Sequence, residues 1–470
     1  MNLDTATSYT YDSSKHWLNG IQRVGSTKEK ANFAYDATDG RLTKITYGNG
    51  ARSEYGFDAS AALTKIAHYG SSGTLMASIA YAYDPAGNVT TATLSDALTY
   101  KGDAVVTYQY DDVYRLTRED CQPAQGSYRQ AYRYGYAYDA VGNRTKMTYF
   151  DGATTATTTY AHSPRNELTQ MVCEGTTTSL LYDLRGNLTK KGTGEYYWDS
   201  QDHLTKVVNG GTSAQYKYNA FGRRVAKKVN DNDWKWFFYD GLQVVAEGSS
   251  TTSRLSYTNS PSVVGGIITR GDGATTYTYH FDRLGNVMAI TDTSGNPYAV
   301  YTMEAFGNVL EKGTSSGYSS EHQTDPQPYH LTTKEYDSDI SLYYFNARWY
   351  DPDTGRFLAR SPARVIFEHP YAFCENSPTY FVDSEGLLRE RNKPECRCTE
   401  EAIKKQKDAI RKRLERVKEI LGACRRTPRK KAWHENSIFD TYDIVQVEKV
   451  KEIEEPTEDA DEPVDTIPAV

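Results

Sequence analysis

Cys396-Arg397-Cys398, followed by Cys424 and His434, is the grouping here whose residue types could hold a metal. Structural zinc sites pair their thiolates and imidazoles at short, fixed spacings. This spacing fits none of them, so free or disulfide-bonded thiols are expected, with no metal and no cofactor. Six cysteines, at 121, 173, 374, 396, 398 and 424, are too few among 470 residues for a disulfide scaffold. Carboxylates are the commoner chemistry. Aspartate recurs directly after an aromatic residue, and turn-formers follow it. An aspartate there bonds nearby backbone N–H groups and opens a turn. These repeated aspartates are read as turn residues, not as a row of active sites. The residues weighed for catalysis all fall in Tyr329–Leu387, a stretch dense in aromatics and turn-formers.

The element that carries these aspartates is a repeat: aromatic-x-aromatic-Asp, a short turn, then Leu or Val and Thr. Tyr81-Ala82-Tyr83-Asp84 leads to Gly87-Asn88-Val89-Thr90, and Tyr136-Ala137-Tyr138-Asp139 to Gly142-Asn143-Arg144-Thr145. Leu181-Tyr182-Asp183 leads to Gly186-Asn187-Leu188-Thr189, and Tyr35-Asp36 to Gly40-Arg41-Leu42-Thr43. Weaker copies sit at Phe57, Tyr110, Trp198, Tyr218, Tyr239 and Phe281. The clearest copies recur about every 20–28 residues, a repeat-protein spacing. Aromatics at i and i+2 share one face of a strand. Glycine supplies the positive φ of the turn. Each unit is therefore a hairpin whose rings stack on those of its neighbours, and the expected product is a long, curling antiparallel sheet. Between Asp240 and Asp282 the motif fades, leaving room for two degenerate units with Tyr257 and Gly265–Ile268 as remnants. The sequons at Asn88, Asn143 and Asn187 arise from the repeat and say little about glycosylation.

Composition agrees with a β protein. Thr, Tyr, Val and Gly dominate before the tail, and Tyr alone supplies 39 residues. The net charge of −7 argues against a general nucleic-acid binder. No apolar run is long enough for a membrane helix, and MNLDTATSYTYDSS lacks the basic and apolar regions of a signal peptide. The repeat is already running at Tyr9, so the chain is expected to begin partway through a longer array.

The array resembles the YD repeats of RHS proteins, found in bacterial polymorphic toxins, Tc toxin C components and animal teneurins. The later stretch resembles the RHS repeat-associated core through Glu335-Tyr336-Asp337, Leu342–Pro352, Gly355–Leu358, Pro370–Phe373, Asn376-Ser377-Pro378 and Val382–Leu387. The resemblance covers residues 9–387. It implies an all-β fold: a curled sheet of hairpins forming a shell, whole or partial, with the core spiralling inward as a plug. The implied domains are 1–328 for the array, 329–387 for the core and 388–470 for a variable tail. In many members the core is an aspartyl self-protease that cuts after the leucine of an Asp-Pro-x-Gly-Leu motif. It uses two aspartates and an arginine. Carried over here, the arginine is Arg348, the second aspartate is Asp383 and the scissile bond is Leu387–Leu388. The first aspartate falls on Ser361. Two carboxylates sharing a proton can divide the roles of base and acid. A serine hydroxyl does not ionise near neutrality and fills neither role efficiently. Glu385, two residues from Asp383, is the remaining carboxylate that could substitute. The chain is expected to stay intact, with Arg348 and Asp383 as a structural pair.

The tail differs in composition. Thr399 is a plausible N-cap, and Ile410, Leu414, Val417, Leu421 and Cys424 form one apolar stripe, giving a helix at about 400–425 with a basic opposite face. The acidic end EIEEPTEDADEPVDTIPAV is expected to be disordered. The favoured reading is a non-enzymatic shell or scaffold of a secreted or cell-surface toxin-type protein, with its own C-terminal tail as cargo. An upstream repeat segment or a secretion apparatus is a further expected partner. Two alternatives are a self-cleaving core that frees a small effector, and a carbohydrate-binding adhesion repeat.

Overall fold

Period-two burial builds many strands of the array. In Tyr132–Tyr138 the rings of Tyr132, Tyr134 and Tyr136 are buried while Ala137 is exposed, and Tyr196 and Tyr197 likewise face opposite ways. The computed structural model describes residues 6–391 apart from 97–101, 128, 250–253, 262–265, 273, 315–316, 320–326, 364–367 and 388. Among the described residues 29 strands, β1 (Thr7–Tyr11) to β29 (Gly317–Ser319), form one sheet in which each strand pairs antiparallel with the next. The chain divides into two units, Met1–Val417 and Lys418–Val470. The second unit, the expected tail helix and the Cys396/Cys398/Cys424/His434 grouping lie outside the described residues.

Each letter of the repeat has a separate structural task. In the hairpin of β7 (Leu75–Tyr83) and β8 (Val89–Asp96), Asp84 Oδ1 accepts the N–H groups of Ala86 (2.8 Å) and Asn88 (2.9 Å). Its Oδ2 accepts Asn88 Nδ2 at 2.8 Å, and Gly87 supplies φ +86°. The pairing then slips: Ala82 faces Thr91 but Tyr83 faces Val89, so Thr90 is the extra residue of a β-bulge. Its hydroxyl donates to Ala82 O at 3.2 Å, and Thr43, Thr169, Thr189 and Thr205 do the same in their own hairpins. The bulge leaves the Val89 carbonyl without a ladder partner, and the Tyr110 hydroxyl of the next hairpin donates to it at 2.7 Å. Tyr138 to Leu116 O and Tyr218 to Leu204 O, both 2.8 Å, repeat that bond. Where the motif fades, β22 (Gln243–Gly248), β23 (Arg254–Asn259) and β24 (Ile267–Gly271) continue the ladder unbroken.

The ribbon coils until early strands meet late ones. β2 (Leu18–Arg23) touches β23, and β7 touches β26 (Val287–Thr291) and β27 (Pro297–Met303). Along this seam Asn49 Nδ2 donates to Thr291 Oγ1 (2.9 Å) and Asp292 O (2.8 Å), and Ser71 N donates to Gly295 O (2.9 Å).

The core stretch makes a second, four-stranded antiparallel sheet of β30 (Glu335–Asp337), β31 (Leu342–Tyr344), β32 (Trp349–Asp351) and β33 (Arg356–Phe357). It packs on the rim of the ribbon that carries the Asp-Gly-Asn turns. Tyr371 Oη donates to Gly186 O (2.9 Å), Asn376 Nδ2 to Gly142 O (2.9 Å) and Tyr343 Oη to Gly307 O (2.8 Å). Backbone bonds Leu188 N to Leu358 O and Val287 N to His330 O tie the core stretch directly to the ribbon. Buried ion pairs add to this: Arg224 with Glu335, Lys227 with Asp337 and Lys191 with Asp351.

Candidate functional site

Arg348, Ser361 and Asp383 come from separate parts of the core stretch and converge on the backbone of Gly386 and Leu387. Arg348 sits just before β32, its guanidinium 3.5 Å from the centroid of the Phe357 ring. That ring belongs to a buried aromatic cluster with Phe345, Tyr350 and Phe373. The arginine's Nη2 reaches Asp383 Oδ2 at 3.3 Å, its Nη1 reaches Pro370 O at 3.3 Å, and its Nε donates to Gly386 O. Asp383 Oδ1 accepts Gly386 N at 2.7 Å and Leu387 N at 3.0 Å, closing a turn around the motif's end. Gly386 is at φ +74°, and a Cβ there would come within 2.5 Å of Phe345 O, so both conformation and space demand glycine. Ser361 Oγ donates to the Leu387 carbonyl oxygen at 2.9 Å.

Burial sets the electrostatics. It pushes the Asp383 carboxyl above its ordinary range; Arg348, the two backbone N–H groups and Lys334 pull the other way. The same burial lowers Arg348 to about 10, with Asp383 as the main opposing influence. Both charges are costly in this environment, and each is the other's principal compensation. Lys334, also buried, is lowered to about 8 by desolvation and faces Asp383, Glu385 and Glu390. Glu385 gives its backbone carbonyl to Ala347 N at 3.0 Å.

The three residues singled out in the sequence therefore bond the backbone of Gly386 and Leu387, with Ser361 alone on the Leu387 carbonyl. Lys334 was not singled out; a lysine two residues before the Tyr-Asp-Ser-Asp run reads as solvated, and only its burial marks it. His369 was missed too. Its Nδ1 accepts the N–H groups of Tyr371 (3.1 Å) and Ala372 (2.9 Å), so its Nε2 carries the proton toward Asn143 Oδ1 at 2.8 Å. Chemically, the site can hold and polarise the Leu387 carbonyl. It places a hydroxyl, not a second carboxylate, on that oxygen. Among the described residues no group of three His, Cys, Asp or Glu is arranged to hold a metal.

The Teneurin YD-shell family matches residues 72–369, more than half of the chain. This chain belongs to that family. As a YD-shell protein it is similar to the tRNA3(Ser)-specific nuclease WapA of Bacillus spizizenii, with 33% identity over 53% of this chain and 11% of the relative. It is also similar to the double-stranded DNA deaminase toxin A of Burkholderia cenocepacia, with 27% identity over 65% of this chain and 22% of the relative. The YD-shell chain thus spans less than a quarter of either of these relatives. Its fold is shared with the Tc holotoxin pore of Photorhabdus luminescens: TM-score 0.66 at 20% identity, over 83% of this chain and 20% of that one. The protein has the β-shell fold of the RHS/YD-repeat proteins. Among its described residues no helix is long and apolar enough to cross a membrane; crossing by strands is a separate matter.

Proposed function

We propose that this chain is a non-enzymatic enclosure in a secreted or cell-surface toxin-type protein. It carries its own C-terminal tail, residues 388–470, as cargo that remains covalently attached. Support for the shell role comes from the core sheet seated on the turn rim and from the toxin relatives. The relatives whose names record a nuclease or deaminase activity are far longer, so those activities are not carried over. The reading of a silent cleavage site rests on one observation. Ser361 Oγ lies 2.9 Å from the carbonyl oxygen of Leu387, where the family's cutting mechanism calls for a carboxylate. Without that group no pair can share a proton and activate water.

The test is a denaturing gel of the purified full chain, expected as one band at 52.9 kDa. Ser361→Asp restores the missing carboxylate beside Asp383 and Arg348. The variant is expected to yield two fragments with a new C-terminus at Leu387, identified by mass spectrometry. Adding Asp383→Asn is expected to abolish the cut. Spontaneous cleavage of the unsubstituted chain, or a folded Ser361→Asp variant that stays whole, would sink the reading.

A further inference from the structure

His68 on β6 (Leu63–Tyr69) and His280 on β25 (Thr276–Phe281) are both fully buried, and they meet across the seam where the ribbon returns upon itself. Their ring centroids are 5.3 Å apart. Ser53 on β5 (Arg52–Phe57) lies between them, its Oγ 2.8 Å from His68 Nδ1 and 3.3 Å from His280 Nδ1. The Tyr47 hydroxyl is 3.1 Å from the same Ser53 Oγ, and His280 Nε2 is 3.1 Å from Thr291 Oγ1. One proton arrangement satisfies all four bonds with neutral rings. Ser53 donates to His68 Nδ1 and accepts from Tyr47 and from His280 Nδ1–H, while Thr291 donates to His280 Nε2.

The surroundings offer a charged ring one favourable contact, the Phe281 backbone carbonyl beside His68, and burial outweighs it. On β4 (Leu42–Tyr47) the facing titratable group is the Tyr47 phenol, edge-on to His280 at 4.8 Å, with Tyr55 of β5 near it. β7 sets Ala77 opposite His68, and β26 sets Ala289 opposite His280. The 48–51 turn brings Asn49, bonded to Thr291. A proton on one ring would therefore be a buried charge set among a phenol and a second imidazole, with no compensating carboxylate bonded to it among the described residues. We propose that this seam is an acid-sensitive joint: it stays closed while both imidazoles are neutral, and charging them separates β4–β6 from β25–β26.

The pH direction follows from burial. Desolvation lowers His68 to about 4, and it drives His280 well below its ordinary value, with His68 as the second cause. A histidine whose folded value is depressed binds fewer protons folded than open. The closed seam is therefore fully favoured above about pH 6.5 and loses ground as pH falls toward 4.

Hydrogen exchange on the full chain, corrected for the intrinsic pH dependence of exchange, tests this. Peptides covering residues 47–68 and 276–291 report the seam, and peptides covering 188–218 report ladder away from it. Between pH 7 and 4.5 the seam peptides are expected to lose about tenfold or more in protection relative to the ladder peptides. Separate His68→Gln and His280→Gln variants are each expected to flatten that dependence. Uniform loss across both peptide sets, or seam protection unchanged down to pH 4, would overturn the proposal. If neither variant folds, the contrast within the unsubstituted chain decides.

Discussion

Two buried charges in this molecule make opposite demands, and each gives a measurable consequence. Arg348 compensates Asp383 in a site where burial disfavours both. Arg348→Met leaves the carboxylate without its cation and is expected to cost about 3–5 kcal/mol in denaturant unfolding. The double variant Arg348→Met/Asp383→Leu is expected to recover much of that loss, because no buried charge remains. Glu119 is the reverse case. It accepts from Tyr132 Oη of the adjacent strand and from Ala305 N on the far side of the coil, each at 2.9 Å, and it faces the buried Glu304. Burial first, and Glu304 second, push its carboxyl up to about 8. A folded value above the unfolded one means stability is fully present below the ordinary carboxyl range and declines as pH rises toward 8. Glu119→Gln should therefore show a flatter stability-versus-pH curve above pH 5 than the parent. A parallel pair of curves would show the carboxyl to be charged throughout. Of these residues, Arg348, Asp383 and Ser361 were legible because they fall within a dense motif. Glu119, His68 and His280 were not, since their partners come from strands that only the coiling of the ribbon brings near.

At the level of the hairpin, nearly every letter of the repeat was legible, but the reason for two of them was not. The turn roles of Asp and Gly follow from short-range chemistry and could be read directly. The task of Thr as the bulge residue, and of the second Tyr as donor to the neighbouring bulge, depends on pairing registers that sequence spacing does not reveal. Tyr138→Phe keeps the ring and deletes the bond to Leu116 O. It is expected to cost about 1 kcal/mol, the net worth of one hydrogen bond plus part of the penalty for a stranded carbonyl. Tyr197→Phe is the control: its ring is exposed and its hydroxyl bonds only the nearby Glu195 side chain, so its cost should be within about 0.5 kcal/mol of zero. Equal losses for the two variants would mean that the cross-hairpin bond contributes nothing. The faded region teaches the converse. β22–β24 lack the motif yet hold the ladder, because Tyr257 and Ile267 keep the buried positions filled. Burial suffices for a strand even where, as in β24, it does not alternate, and a bulge at Thr258–Asn259 forms there without the motif.

On the scale of the whole described molecule, the core sheet docks on a rim built almost entirely from one kind of turn. The asparagine of that turn shows how the repeat serves both purposes. In the 139–143 turn, Asn143 Nδ2 bonds Asp139 at 2.9 Å while its Oδ1 receives His369. In the 282–286 turn, Asn286 Oδ1 receives Thr332 N at 2.8 Å. Docking therefore depends on turn backbones lying close beneath the core, and glycines allow that approach. Gly186 is at φ +90°, and a Cβ there would stand 2.6 Å from both Arg360 Cδ and Tyr371 Oη. Gly175, in a turn on the opposite rim, is at φ +80° with nothing within 4 Å of the same position. Gly175→Ala and Gly186→Ala both force a side chain into left-handed backbone, worth about 1–2 kcal/mol each. Only Gly186→Ala also pushes on the core, adding about 1–3 kcal/mol of overpacking. Limited proteolysis should then find new cuts within residues 329–387 in Gly186→Ala alone, alongside the larger drop in unfolding midpoint. If the two variants were equally destabilised and equally resistant, the core would not bear on this rim, and the enclosure role would lose its mechanical basis.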